Sequence, residues 1–306
     1  MKRRKVYPGE VHHICQMTQG KRVIFYTASD YLVFFTVFST VARRRGIPVL
    51  ALCPMPDHVH HVSVSASARE LSAFVNEYSR IFAHLWNRSR DREGYLFYHS
   101  FSSAAKLGSK QVRTTLAYNY NNPVERKLVQ QAEQYRWNFL AYARNDHPFS
   151  APVTMSKASR ALKKALSEIN ALFRQGKYLN YAQLARWKRG LRTAEQQQLI
   201  DQIVSLWNIV DYDLAIGYYG SLEAMIRAFH DNTGSEYDIR EDRDNYSDAV
   251  YSQCSSILLH EGLDLFRIPA MSPSAKREWF HILSLRTSAR PRQLLKYLHL
   301  PLDRGT

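Results

Sequence analysis

The sequence predicts an α+β chain, with an antiparallel sheet and its helices in residues 1–150 and a mostly α-helical region in residues 151–306. Three observations carry this expectation. Runs rich in β-branched residues alternate with 3.6-period apolar stripes in the order strand, helix, strand, strand, helix, strand over about the first 125 residues. The texture then changes after RNDHPFSAPV (144–153), where Pro and Ser accumulate. Finally, 306 residues exceed what one ordinary core organises, so two domains are the default.

The elements follow in order. VHHICQMT (11–18) reads as the first strand, with a QGKR turn behind it. From Thr27, TASDYLVFFTVFSTVARRRG reads as a helix with Thr27 and Ser29 as capping residues. Arg43, Arg44 and Arg45 complement its C-terminal dipole and Gly46 stops it. The three arginines suit a solvated helix end and a DNA-facing role equally. IPVLALC (47–53) is nearly all apolar and reads as a second, central strand. Pro54 and Pro56 mark a loop, and HVHHVSV (58–64) is the third strand. Leu71, Phe74, Val75, Tyr78, Phe82 and Leu85 fall at helical spacing, which makes 67–87 an amphipathic helix with a core stripe. NRSRDREG (87–94) is a charged loop and YLFYHSF (95–101) the expected fourth strand. A helix from about Ser109 to Asn122 follows, closed by Pro123. The order β-α-β-β-α-β is the ferredoxin-like split motif, with one further helix attached.

In the second half, residues 156–232 are helical by pattern, and SKASRALKKALSEINALF is basic on one side. GSEYDIREDRDNYSD (234–248) is an acidic loop or helix start. SAKREWFHILSLRTSARPRQLLKYLHL (274–300) suggests two helices around a turn near Ser288–Pro291. That spacing suits a helix-turn-helix with Arg290, Arg292, Gln293 and Lys296 available for DNA, and equally a plain helical hairpin with a wet basic face.

The net charge of +15 is uneven. Residues 1–150 carry 21 Lys/Arg against 10 Asp/Glu, and 151–200 carry 10 against 2, whereas 201–250 carry 3 against 11. A basic first half points to a polyanionic partner, although charge alone separates neither DNA from RNA nor either from an anionic membrane. Cys15, Cys53 and Cys254 have no CxxC spacing and read as small buried residues in a reducing compartment. No apolar run is long enough to cross a bilayer, and MKRRKVYPGEVHH lacks the apolar segment of a secretory signal. The expected place is the cytoplasm, with no membrane partner.

The chemistry centres on PMPDHVHHVSV (54–64). Side chains two apart on a strand share a face, so His58 and His60 point one way and His61 the other. Two imidazoles on one face are either a metal-ligand pair or an unusual filling for a sheet. LAYNYNNPVERKLV (116–129) offers the rest of a site, because Tyr118 and Asn122 lie four apart on a helix and project together. A carboxamide oxygen with two imidazoles makes a half-open shell for Mg²⁺ or Mn²⁺. A tyrosine hydroxyl beside a metal-polarised phosphodiester can act as nucleophile.

PMPDHVHHV resembles the HUH motif (His, hydrophobic residue, His) of single-tyrosine transposases. YNYNNPVERKLVQQAEQYRWNFLAY resembles the Tyr-to-Asn-Pro-Val block and the Tyr-x-Trp segment of the REP-associated tyrosine transposases. The likeness covers roughly residues 7–145. It implies Tyr118, not Tyr120, as nucleophile, His58 and His60 as the HUH ligands, and Asn122 as third ligand. Three places depart from the family's usual pattern: Asp57 stands where an Asn is commoner, His61 where an apolar residue is, and ERKLV (125–129) follows the Pro-Val pair where a small-residue Ala-Gly turn is commoner. Asp57 suits a loop cap first and a tuner of the nearby histidine second, and His61 reads as packed or DNA-facing.

The resemblance further implies metal-dependent, site-specific cleavage and rejoining of single-stranded DNA beside hairpins, through a covalent 5′-phosphotyrosine link. The implied cofactor is Mg²⁺ or Mn²⁺, with no organic cofactor. The implied partner is single-stranded hairpin DNA, bound by a monomer or homodimer at the nucleoid. Arg43, Arg44, Arg45, Lys106, Lys110, Arg113, Arg290, Arg292 and Lys296 are candidate DNA contacts. Tyr95, Phe97, Tyr98 and Phe101 could stack unpaired bases or pack the core. His12 and His13 on the first strand could approach the site, although satisfied sheet histidines are the commoner case. Two other functions fit the same residues: a non-catalytic hairpin-binding protein, and a hydrolytic nuclease that activates water at the histidine pair.

Overall fold

The computed structural model describes residues 6–231 and 246–302, so most of the acidic stretch 234–248 lies outside the described residues. Its N-terminal part runs β1 (Val11–Met17), α1 (Ala28–Arg45), β2 (Val49–Met55), β3 (His58–Val64), α2 (Ala68–Ser89), β4 (Ser102–Lys106) and α3 (Ser109–Glu125). The four strands form one sheet in the order β2-β3-β1-β4, and every pairing is antiparallel. This is the expected α+β arrangement. Helices α1 and α2 cover one face, burying Ile14, Leu52 and Val59 against Phe34, Phe38, Phe74, Tyr78 and Phe82. Helix α3 covers the other, with Val112, Leu116 and Ala117 against Val11, Ala51 and Val62.

Helix α1 starts and stops as its sequence dictates. Thr27 is its N-cap, the Asp30 carboxylate accepts the Thr27 backbone N–H at 2.9 Å, and Gly46 ends it at φ 64°. Helix α2 is capped by Ser67, whose side chain accepts the Glu70 N–H.

Three expectations on this region are corrected. β2 is an edge strand, not a central one. Its uniformly apolar sequence reflects a different cover: Val49 C=O accepts the Asp211 N–H at 2.7 Å, Leu50 C=O the Tyr120 hydroxyl at 3.0 Å, and Pro54 C=O the Tyr135 hydroxyl at 2.9 Å. The edge is buried by other elements instead of by a further strand. Pro54 lies inside β2 because an edge strand loses no ladder bond to a prolyl nitrogen.

The fourth strand is SSAAK (102–106), not YLFYHSF (95–101). The aromatic run only crosses the end of the sheet, where Phe97 bridges to Thr18. Its strand-like aromatic texture comes from core anchors, since Leu96, Phe97 and Phe101 are buried while Tyr95 and Tyr98 are exposed. Helix α3 also continues through Pro123 to Glu125. A proline in the last turn removes one N–H but leaves the following residues free to close on earlier carbonyls, as Arg126 N–H does on Asn122 C=O.

Beyond residue 150 the described chain is helical: α4 (Arg160–Arg174), α5 (Tyr181–Lys188), α6 (Thr193–Trp207), α7 (Tyr212–Gly217), α8 (Leu222–Asp231), α9 (Ala249–His260), α10 (Pro273–Arg286) and α11 (Pro291–Leu298). Helices α4 to α6 share the core under α1. Helices α9 to α11 close a second core that includes Val23.

A buried charge network joins the halves. Asp30 at the start of α1 accepts Arg90 at 2.5 Å and the Tyr181 hydroxyl at 2.9 Å on one oxygen. Its other oxygen takes the Tyr26 and Thr27 N–H groups. Arg90 also lies over the rings of Trp86 and Phe266, at 4.2 and 4.5 Å. No described helix is long and apolar enough to cross a membrane.

Candidate active site

The sheet face under α3 collects the site. In the β1–β3 ladder Cys15 pairs with His60 and Met17 with His58, so His58 and His60 share a face with His13, Cys15 and Met17. His61 projects to the opposite face, into Phe38, Phe74 and Tyr78 at centroid distances of 5.2 to 5.9 Å. Burial lowers its pKa to about 3, with the nearby His13 and His60 adding to the effect, so His61 is a neutral packed residue.

Helix α3 brings Tyr118 onto the histidines. Its ring meets His60 edge-on at 5.8 Å and His13 at 5.7 Å between centroids. Tyr120, two residues on, turns away to Leu50 C=O and stacks on Phe229 at 5.1 Å. Arg126 lies two turns beyond Tyr118, and its charge bears on Asp57, the residue before β3. Asn122, one turn on from Tyr118, lies on the same face of α3.

Hydrogen bonds set the donor chemistry. His58 Nδ1 lies 2.6 Å from Asp57 Oδ1, so that nitrogen carries a proton, and in the neutral ring Nε2 keeps its lone pair. His60 Nδ1 lies 3.1 Å from His13 Nε2. If His60 is to ligate through Nε2, its Nδ1–H donates to His13, whose own proton then sits on Nδ1. Asn122 Oδ1 is buried and accepts no hydrogen bond. By donor type, two imidazole nitrogens and a carboxamide oxygen suit a divalent cation. Among the described residues no group of three His, Cys, Asp or Glu side chains is gathered for a metal; the third donor of this set is an amide.

Asp57 is more than a loop cap. Burial opposes its charge, but the hydrogen bond and electrostatic attraction of His58, with the charges of Lys296 and Arg126, outweigh burial and hold the carboxyl well below the usual range. Its second oxygen lies 3.4 Å from Lys296 Nζ. Its backbone C=O accepts both the N–H and the hydroxyl of Thr18.

The basic residues named from sequence are dispersed. Arg44 and Arg45 pair with Glu77 of α2, and Arg43 lies over Phe173 at 4.9 Å, all on the side of the sheet away from α3. Lys110 and Arg113 are exposed on the first turns of α3. Arg290 is exposed against Tyr246, and Arg292 is partly buried. Lys106 and Lys296 are buried, as is Gln293, which donates to Ser247 C=O. Two helices do flank the expected turn, but α11 sends Gln293 and Lys296 inward.

His13 is the residue that sequence reading underrated. Alternation alone puts it on one face or the other, and only the register with β3 shows that this face is the one carrying His60. Asp57's contact with Lys296 has no local signal, being 239 residues apart in sequence.

Residues 5–122 match the family model described as "Transposase IS200 like", and over that segment the resemblance to HUH single-tyrosine transposases is borne out. Among solved structures, the chain is similar to one described as a REP-associated tyrosine transposase bound to a REP hairpin. The two share 20% identity over 44% of this chain and 79% of that chain, with a TM-score of 0.39. No curated protein sequence matches.

Proposed function

We propose that this chain cleaves and rejoins single-stranded DNA at hairpins, with Tyr118 as nucleophile and His58, His60 and Asn122 holding Mg²⁺ or Mn²⁺. The observation that carries the reading is the seat of Tyr118 against His60 on the face that also bears His58. The match of residues 5–122 to IS200-like transposases supports it.

When bound, the metal would polarise the scissile phosphate and stabilise charge on the departing oxygen. Tyr118 Oη forms its bond to phosphorus as the bond to the 3′ oxygen breaks. The phenolic proton leaves the tyrosine, and the 3′ oxygen takes up a proton to become a free hydroxyl. The product is a 5′-phosphotyrosine, and attack by a 3′-hydroxyl reverses the same exchange, so neither direction consumes water. Asp57 and His13 keep the two imidazoles in the tautomers that ligation requires. The setting we propose is the cytoplasm, at the nucleoid.

The test is a denaturing gel with labelled single-stranded hairpins, drawn from repeats flanking the gene, with Mg²⁺ or Mn²⁺. A metal-dependent covalent adduct that vanishes in Tyr118→Phe supports the reading. Cleavage that survives Tyr118→Phe replaces it with hydrolysis, and tight binding without cleavage replaces it with a hairpin-binding role.

A further inference from the structure

We propose that Lys296 is a positioning residue for the metal site, acting through Asp57 on His58, so that helix α11 tunes how tightly the divalent cation is held. The inference rests on the reading of His58, His60 and Asn122 as metal ligands. Its own support is a chain of contacts. Lys296 Nζ reaches Asp57 Oδ2 at 3.4 Å, and Asp57 Oδ1 holds His58 Nδ1 at 2.6 Å. Lys296 and Asp57 are 7% and 6% exposed and His58 is 1%, so water screens none of these contacts effectively.

The lysine is held there by a firm mount. Helix α11 docks on the segment between β1 and α1: Val23 N–H donates to Lys296 C=O at 3.2 Å, and the Tyr26 hydroxyl donates to Tyr297 C=O at 2.6 Å. His299 Nε2 lies 2.7 Å from Val23 C=O, and its ring stacks on Trp86 at 6.0 Å. Tyr251 of α9 stacks on Tyr297 at 5.8 Å. A flexible, strongly hydrated ammonium is an expensive group to bury. Here it faces a carboxylate already committed to an imidazole.

The physical consequence concerns orientation. A carboxylate that accepts the ligand's N–H fixes the ring and its tautomer and raises its basicity, and loss of such a partner typically lowers metal affinity about 10–100-fold. Asp57 has two oxygens and can rotate. Lys296 on one oxygen pins the other to His58. Removing the ammonium leaves Asp57 free to turn toward Arg126, the other cation whose charge acts on it.

The experiment is Mn²⁺ titration of the full-length protein without DNA, followed by electron paramagnetic resonance of the free ion. It compares the wild type with Lys296→Met, Lys296→Arg, Asp57→Asn and the Asp57→Asn/Lys296→Met double variant. Lys296→Met is expected to weaken Mn²⁺ binding about 10-fold, Lys296→Arg to restore most of it, and the double variant to bind no more weakly than Asp57→Asn alone. A lysine that only supports the fold would change the melting temperature and leave the affinity unaltered, which overturns the proposal. Additive losses in the double variant also overturn it, and this comparison serves if Lys296→Met is poorly folded. Absence of Mn²⁺ binding by the wild type defeats the metal-site reading itself. A wild type that binds Mn²⁺ but forms no covalent adduct with hairpin DNA defeats the cleavage reading alone.

Discussion

Tyr118 stands edge-on to His60, with ring planes at 86° and centroids 5.8 Å apart, although 58 positions separate them in the chain. The relationship distinguishes Tyr118 from Tyr120, which shares its helix and its side-chain type. Tyr120→Phe should therefore keep any covalent DNA adduct and lose only the bond to Leu50 C=O, costing about 1 kcal/mol of stability. Adduct yield and urea denaturation on one preparation check both halves of this prediction.

Metal binding should appear as stabilisation. A ligand at 100 times its Kd adds about 2.7 kcal/mol to the folded state. Mn²⁺ is thus expected to raise the melting temperature of the wild type, and the rise should vanish in His58→Ala and shrink in Asn122→Ala. Differential scanning calorimetry with and without Mn²⁺ measures it.

Of the aromatics in 95–101, Tyr95 is 67% exposed and Tyr98 38%, while Phe97 and Phe101 are each 6% exposed. Tyr98 sits beside the site's end of the sheet, its N–H on Met17 C=O. Tyr95→Ala and Tyr98→Ala should each weaken single-stranded DNA binding by about 1–3 kcal/mol and spare the fold. Phe97→Ala should instead cost about 3–5 kcal/mol of stability. Fluorescence anisotropy and chemical denaturation separate the two classes.

The Asp30–Arg90 pair is buried completely and shared with Tyr181. Asp30→Ala leaves a guanidinium stranded among Trp86 and Phe266, and the expected loss is about 3–5 kcal/mol. Urea unfolding of Asp30→Ala against the wild type tests this. Because Asp30 joins α1 to α2 and α5, the loss should show in a single cooperative transition.

Acid should destabilise the protein before its carboxylates titrate. Burial lowers the His299 pKa to about 3, against an unfolded value near 6.5. Above pH 6.5 the ring is neutral in both states and contributes no pH dependence. Between 6.5 and 3 the unfolded chain binds a proton that the folded chain refuses, so stability falls as pH falls. His299 caps α11 with φ 58°, a conformation Asn accepts. His299→Asn should flatten the slope of stability between pH 6.5 and 5 by up to about 1.4 kcal/mol per pH unit. His61 and His12, shifted in the same direction, keep the remaining slope above zero.

The sequence by itself determined what short-range physics governs. Caps at Thr27 and Ser67 and the stop at Gly46 set helix ends, and alternation separated His60 from His61. Helical spacing put Tyr118 and Asn122 on one face, and the His-x-His and Tyr-to-Asn-Pro blocks carried the resemblance that the match to IS200-like transposases bears out. What it misjudged depended on distant partners. β2 looked central because Asp211, Tyr120 and Tyr135 bury its edge, and 95–101 looked like a strand because core anchors imitate strand composition. Only the tertiary structure decided that His13 joins His60, through the β1–β3 register, and that Lys296 meets Asp57, through the docking of α11 on Val23 and Tyr26. Local periodicity fixes which way a side chain points, whereas its partner depends on how elements pack, and no window of neighbouring residues encodes that.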